Sequence, residues 1–412
     1  MLFRSVLGDT LTNVVTQDSL VGDSETFTVD ATLIITGDDE GPLLSTDLGG
    51  SALTWDGSAE TNGSFQILGS ALNDTIITGS GADTIVAGDG DDTIVTNGGA
   101  DTIILEKNLT SSDTIDGGEG LDELQFTDSN AASNDLDGVS NVETITLGNS
   151  ATSVTTKDSL VADGQTVTLN AAALTGSNFL SWDGSAETDG RFEIIGSDQD
   201  DNIIGGAGDD AVTSGDGDDY IFTGLGSDLI DFGTNLSEAD IVDGGDGIDE
   251  LTFKDSGFDT SELDRVRNVE IISIQDRNAN VTTLDALIGS GKTLTVTAAA
   301  LSGANSLTWD GSAETDGSFN ITGSDQDDVI TGGVGADTVV AGSGDDTITG
   351  GAGTDTFVLD RNLTSSDTID GGSNSDVLQF TDSGLETSDL DGVTNVETVT
   401  LGDAATSVTT VD

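Results

Sequence analysis

The chain has 412 residues, of which 77 are Asp or Glu against 10 Lys or Arg, giving a net charge of −67. Such acidity excludes nucleic acid and anionic membrane as direct partners unless a cation bridges them. Histidine and cysteine are both absent, which removes disulfides, HExxH zinc sites, Ser-His-Asp triads and Cys-His pairs, so no enzymatic activity is expected.

Taken in chain order, the start Met1–Asp9 has no uninterrupted apolar run of the kind a signal peptide needs, and no stretch approaches transmembrane length. Residues 1–18 align with 141–158, 268–285 and 395–412, so the chain begins and ends at the same point of a repeat. A solenoid cut there has open β-edges. Either this is an excerpt of a longer array, or neighbouring chains complete one another end to end. Asp18 and Asp158 are 140 residues apart where the later copies are spaced by 127, which places 13 extra residues near Asp38 to Gly50, around the single proline, Pro42. This insert reads as a surface loop.

Next comes Trp55-Asp56-Gly57-Ser58-Ala59-Glu60-Thr61, repeated from Trp182 and from Trp309. One tryptophan per module at one phase points to a core or coil-stacking role rather than a sugar-stacking platform.

Beyond it lies a run of nonapeptides of the form GGxGxDxUx, where U is a large apolar residue, as in Gly332-Gly333-Val334-Gly335-Ala336-Asp337-Thr338-Val339-Val340. Asp74, Asp83, Asp92 and Asp101 recur every nine residues, and Asp113 and Asp122 continue after a three-residue slip. Asp201, Asp210, Asp219, Asp228, Asp240 and Asp249 repeat the pattern, as do Asp328, Asp337, Asp346, Asp355, Asp367 and Asp376, each shifted by 127 (201 − 74 = 328 − 201). An apolar residue follows two places after each, Ile76, Ile85, Ile94, Ile103, Ile115 and Leu124 in the first block. A single GxGxD would read as a solvated acidic linker; phased aspartates with phased apolar partners do not.

Glycines at positions 1, 2 and 4 are expected to take positive φ and to bring carbonyl oxygens to a common centre. The position-6 aspartate adds a hard anionic oxygen, and the set suits calcium, which takes six to eight oxygens at flexible geometry. The three following residues are β-prone and turn one apolar side chain inward between two outward ones. Two nonapeptides then make one coil, so that Asp74 faces Asp92 and Asp83 faces Asp101 across a shared ion. Without calcium, stacked carboxylates repel and the chain is expected to be expanded, so that binding free energy acts as folding free energy. About four ions per block would add roughly +24 and leave the chain acidic.

Between the blocks, period-two alternation predicts strands at Val142–Leu147, Val154–Thr156, Thr166–Leu169, Phe179–Trp182 and Phe192–Ile195. Asn141-Val142-Glu143-Thr144-Ile145-Thr146-Leu147 recurs with changes from Asn268 and Asn395. These segments read as further solenoid coils rather than separate sandwiches. Ser261–Val266 and Thr283–Leu287 are the only helical candidates. The modules are 1–140 (β-roll part 69–126), 141–267 (196–253), 268–394 (323–380), and the start of a fourth at 395–412. The expected fold is all-β: an elongated right-handed parallel β-roll or β-helix solenoid, about six coils per module and roughly 80–90 Å long.

The nonapeptide blocks, about 55 of each 127 residues, resemble the RTX (repeats-in-toxin) calcium-binding β-roll family. Gly117-Gly118-Glu119-Gly120-Leu121-Asp122 and Gly244-Gly245-Asp246-Gly247-Ile248-Asp249 match its pattern fully, whereas Asp74, Asp113 and their equivalents lack some turn glycines. The resemblance implies that turn aspartates and backbone carbonyls of adjacent coils hold several Ca2+ ions, and that export uses a type I machine. Alternation with NVETITL-like strands resembles RTX-type bacterial surface-layer proteins and long adhesins.

The expected function is accordingly a secreted, extracellular, calcium-dependent structural protein of the bacterial cell surface, self-associating into a lattice or filament, with cell-surface polysaccharide as a further candidate partner. The alternative is the spacer region of a type I-secreted RTX adhesin. Lateral contacts are expected through position-9 residues, Ile77 and Val95 on one sheet, Val86 and Ile104 on the other.

Overall fold

The computed structural model describes the backbone of Thr12–Val15 and Thr26–Asp30 and residues 52–128, 133–254, 261–380 and 389–402. The expected insert at 38–50 and the alignment of the two chain ends lie largely outside them. Two compact units divide the chain, Met1–Asp210 and Ala211–Asp412, and the second module is shared between them.

Within the first unit the chain alternates between two parallel sheets. Ser64–Leu68 pairs with Thr84–Val86, which pairs with Thr102–Glu106, and this in turn with Glu123–Phe126. On the opposite face Leu53–Asp56, Thr75–Ile77, Thr93–Val95 and Thr114–Asp116 pair in the same way. Each coil therefore contributes one short strand per sheet, the arrangement of a parallel β-solenoid. Period two decides the core: Ile76, Ile85, Ile94, Ile103, Ile115 and Leu124 are fully buried, each between two partly exposed neighbours, as in Thr75–Ile77 and Thr84–Val86. Stacking in register puts Ile76 beside Ile94 and Ile94 beside Ile115.

The segments between the blocks continue the same two sheets. Thr144–Leu147 pairs with Glu123–Phe126 on one side and with Thr166–Asn170 on the other, which leads to Arg191–Ile195. They are solenoid coils, as expected, with strand ends within two residues of the sequence reading. The second unit repeats the plan, for example Thr338–Val340, Thr356–Asp360, Val377–Phe380 and Thr398–Leu401 in one sheet.

Ser261–Val266 and Thr283–Leu287 form turns, not helices. Each covers too few residues to repay the nucleation of a helix, and the chain is already committed to the next strand. Among the described residues the helical element is a single 3-10 turn, Asp135–Gly138.

Two sequence signatures acquire structural reasons. Asn141, Asn268 and Asn395 take φ of +51 to +52°, a left-handed conformation that asparagine tolerates better than most residues. Their side-chain amides donate to Asp116, Asp243 and Asp370 of the preceding coil. In the tryptophan segment, Trp55, Trp182 and Trp309 are at most 2 % exposed, each set edge-on against Phe65, Phe192 or Phe319 at 5.3–5.6 Å between ring centres. They fill the core and offer no sugar platform. Trp309→Ala is expected to cost about 3–5 kcal/mol, measured as a drop in the denaturation midpoint of the calcium-loaded chain; a loss below about 1 kcal/mol would mean that the ring is not packed this way.

Candidate metal centre

All eighteen phased aspartates are at most 2 % exposed. They lie at the turns between sheets, where the polar edge of each coil stacks on that of the next. Their Oδ1 atoms form a ladder that runs along the stack. Asp92 Oδ1 accepts the backbone N–H of Asp74 at 2.8 Å, and Asp113 Oδ1 that of Asp92 at 2.7 Å. On the other edge Asp101 accepts from Asp83 at 2.7 Å and Asp122 from Asp101 at 2.8 Å. The third block repeats this through Asp328, Asp346 and Asp367, and through Asp337, Asp355 and Asp376. In the second, Asp240 accepts from Asp219 and Asp249 from Asp228. The expected pairings of Asp74 with Asp92 and Asp83 with Asp101 are thus neighbours on one edge, linked directly by a charge-assisted hydrogen bond.

The ladder starts and ends outside the nonapeptides. At the start, Asp74, Asp201 and Asp328 accept from Leu53, Leu180 and Leu307, while Asp83, Asp210 and Asp337 accept from Phe65, Phe192 and Phe319. At the end, Glu143, Glu270 and Glu397 accept the N–H of Asp122, Asp249 and Asp376 at 2.8, 3.1 and 2.9 Å. The sequence reading missed these glutamates. Their 127-residue period was visible, but a glutamate reaching one coil back cannot be told from a solvated surface charge.

The second carboxylate oxygen separates the sites. Oδ2 of Asp74, Asp201 and Asp328 accepts the N–H of Ser70, Ser197 and Ser324 in its own turn. Oδ2 of Asp113, Asp240 and Asp367 likewise accepts from Thr110, Ser237 and Thr364, and that of Asp210 and Asp337 from Gly206 and Gly333. By contrast, Oδ2 of Asp92, Asp122, Asp249, Asp355 and Asp376 is buried with no hydrogen-bond donor. A buried anionic oxygen left without a partner carries its full desolvation cost. Accordingly burial, reinforced by neighbouring aspartates, pushes Asp92, Asp101, Asp249 and Asp346 up to about 7 and Asp355 to about 6. Burial, with repulsion from Glu143 and Asp116, likewise raises Asp122 to about 6.

The glycines play two roles rather than one. Positions 2 and 4 of the later turns take positive φ, as at Gly118 (+88°), Gly120 (+154°), Gly245 (+94°) and Gly247 (+157°). Position 1 does not; there a Cβ would stand 2.0 Å from the Asn141 carbonyl oxygen at Gly117. In Gly332-Gly333-Val334-Gly335 no glycine takes positive φ. That turn stacks on the tryptophan segment, where a Cβ on Gly333 would lie 3.0 Å from the side chain and carbonyl of Glu314. The expectation of positive φ at all three positions is therefore corrected: close approach of the neighbouring coil is the common requirement.

Buried unpartnered carboxylate oxygens beside crowded turn carbonyls fit a hard cation that prefers oxygen. Imidazole and thiolate ligands are missing from the chain altogether, since it contains no histidine or cysteine. The model of the RTX calcium-binding nonapeptide repeat matches residues 68–103, 195–230 and 321–358, which carry the first four ladder aspartates of each block. No curated protein matches the chain. With those matches set on stacked parallel coils, the chain is an RTX β-roll repeat protein, and a calcium-binding one.

Proposed function

We propose that the chain is a structural protein of the bacterial cell surface, exported loose and folded by millimolar calcium outside the cell, whose solenoids associate into a lattice or filament. The observation that carries this reading is repetition: in every module the described residues are given over to stacked coils, with the same buried carboxylate ladder each time. The position-6 aspartates supply the calcium ligands in it, and those with an unpartnered Oδ2 are the strongest.

Lateral contact would use the position-9 rows. Ile77 stacks on Val95 and Val86 on Ile104, all partly exposed, and Leu68, Val86 and Ile104 line a shallow groove. Isolated apolar residues on a surface are ordinary, whereas a row in register is a self-complementary strip.

Calcium added to the chelated chain is expected to raise the β-sheet circular dichroism and to produce ordered sheets or filaments in electron micrographs. Val86→Lys with Ile104→Lys should keep the β-signal and lose the assemblies. Dispersed particles from the parent chain at saturating calcium would sink the lattice reading and favour the adhesin spacer, which needs the same folding but no lateral contact.

A further inference from the structure

The turn that follows each buried tryptophan holds a second set of carboxylates, which the nonapeptides do not use. Glu187 and Glu314 are 1 % and 0 % exposed. Oε1 of Glu187 accepts the N–H of Gly190 at 2.8 Å, and Oε1 of Glu314 that of Gly317 at 2.7 Å, closing the turn. Oε2 of each is buried without any hydrogen-bond donor. Two exposed aspartates flank it: Asp189 or Asp316 from the same turn, and Asp158 or Asp285 from the turn of the preceding coil. One carboxylate oxygen from each of Asp158, Glu187 and Asp189 lies within 4.8 Å of the others, and the same holds for Asp285, Glu314 and Asp316.

Asp158 is held in place, since its Oδ1 accepts the Thr188 N–H at 3.0 Å and hydroxyl at 2.6 Å. Thr315 does the same for Asp285 at 2.9 and 2.5 Å. No member of either trio takes part in the ion pairs Lys157–Asp137 and Arg267–Asp243. Oxygens that share a calcium at about 2.4 Å stand at most about 4.8 Å apart, which these satisfy. A buried oxygen without a donor, inside three converging negative charges, is costly unless a cation joins them.

We propose that Asp158, Glu187 and Asp189, and again Asp285, Glu314 and Asp316, form a second class of calcium site outside the nonapeptides. It clasps two successive coils that carry no nonapeptide, one through its aspartate and the next through its glutamate and aspartate. The choice of calcium follows from an all-oxygen set half open to water, which can complete a coordination of six to eight with solvent. In the first module Asn62 stands where Asp189 and Asp316 do, and that position is one charge short. The site adds two ions per chain.

The test is to count calcium bound to the full chain by equilibrium dialysis, before and after Asp158→Asn, Asp189→Asn, Asp285→Asn and Asp316→Asn together. The expected result is a loss of two ions per chain with the calcium-induced β-signal retained; an unchanged count in a folded variant overturns the proposal. A second chain, changed only at the exposed Asp189 and Asp316, guards against misfolding. It should lose at least tenfold in affinity for two ions, and an isotherm superimposable on the parent's overturns the proposal equally. Assembly is read separately in micrographs, so failure of the surface-lattice reading leaves the ion count intact.

Discussion

Chelating calcium at about pH 8 is expected to abolish most of the β-sheet circular dichroism, and acidifying the calcium-free chain to about pH 5 is expected to restore part of it. In the unfolded chain the ladder aspartates release their protons near the ordinary value of about 3.9. In the metal-free fold burial holds Asp92, Asp101, Asp249 and Asp346 to about 7, and Asp122 and Asp355 to about 6. Between these limits the folded state binds more protons than the unfolded one. Stability of the metal-free fold is therefore present at low pH and lost as pH rises towards about 7, beyond which the whole penalty applies. Calcium replaces those protons, so the affinity of the folded chain for calcium should weaken on acidification through the same window. A metal-free chain with the same β-signal at both pH values, and no light scattering to account for it, would refute the ladder's electrostatics.

Gly120→Ala, Gly247→Ala and Gly353→Ala should each destabilise the calcium-loaded fold by about 3 kcal/mol or more, through left-handed strain and backbone collision together. Their φ values are +154 to +157°, and a Cβ would meet the carbonyl oxygen of Gly99, Gly226 or Gly335 at 1.6, 1.5 or 2.0 Å. Gly303→Ala is the matched control. Its φ is +72° with nothing within 4 Å of the added carbon, so only the conformational cost of about 1–2 kcal/mol applies. The measurement is the midpoint of denaturation at saturating calcium. Equal effects at Gly303 and Gly247 would mean that close stacking of turns is not what selects glycine there.

The fold could be read from the chain because its determinants are local and periodic. The nine-residue phase of Asp74 to Asp101 set which residues turn, and the apolar residue two places later set which side chain points inward. A 127-residue repeat then forced equivalent segments into equivalent coils, including the strands around Thr144–Leu147 and Arg191–Ile195. What one coil does to the next was not legible. That Glu143 ends the ladder and that Gly117 is needed for room rather than for φ depend on contacts between residues 21 and 24 positions apart, while Asp113 spends its second oxygen on Thr110 of its own turn and Asp92 leaves one bare. The same holds for the trios around Glu187 and Glu314, whose members lie on successive coils. Periodicity determines which face a side chain takes; the register of neighbouring coils determines what its first oxygen binds, and the folded shape of its own turn determines whether the second finds a donor or is left for a cation.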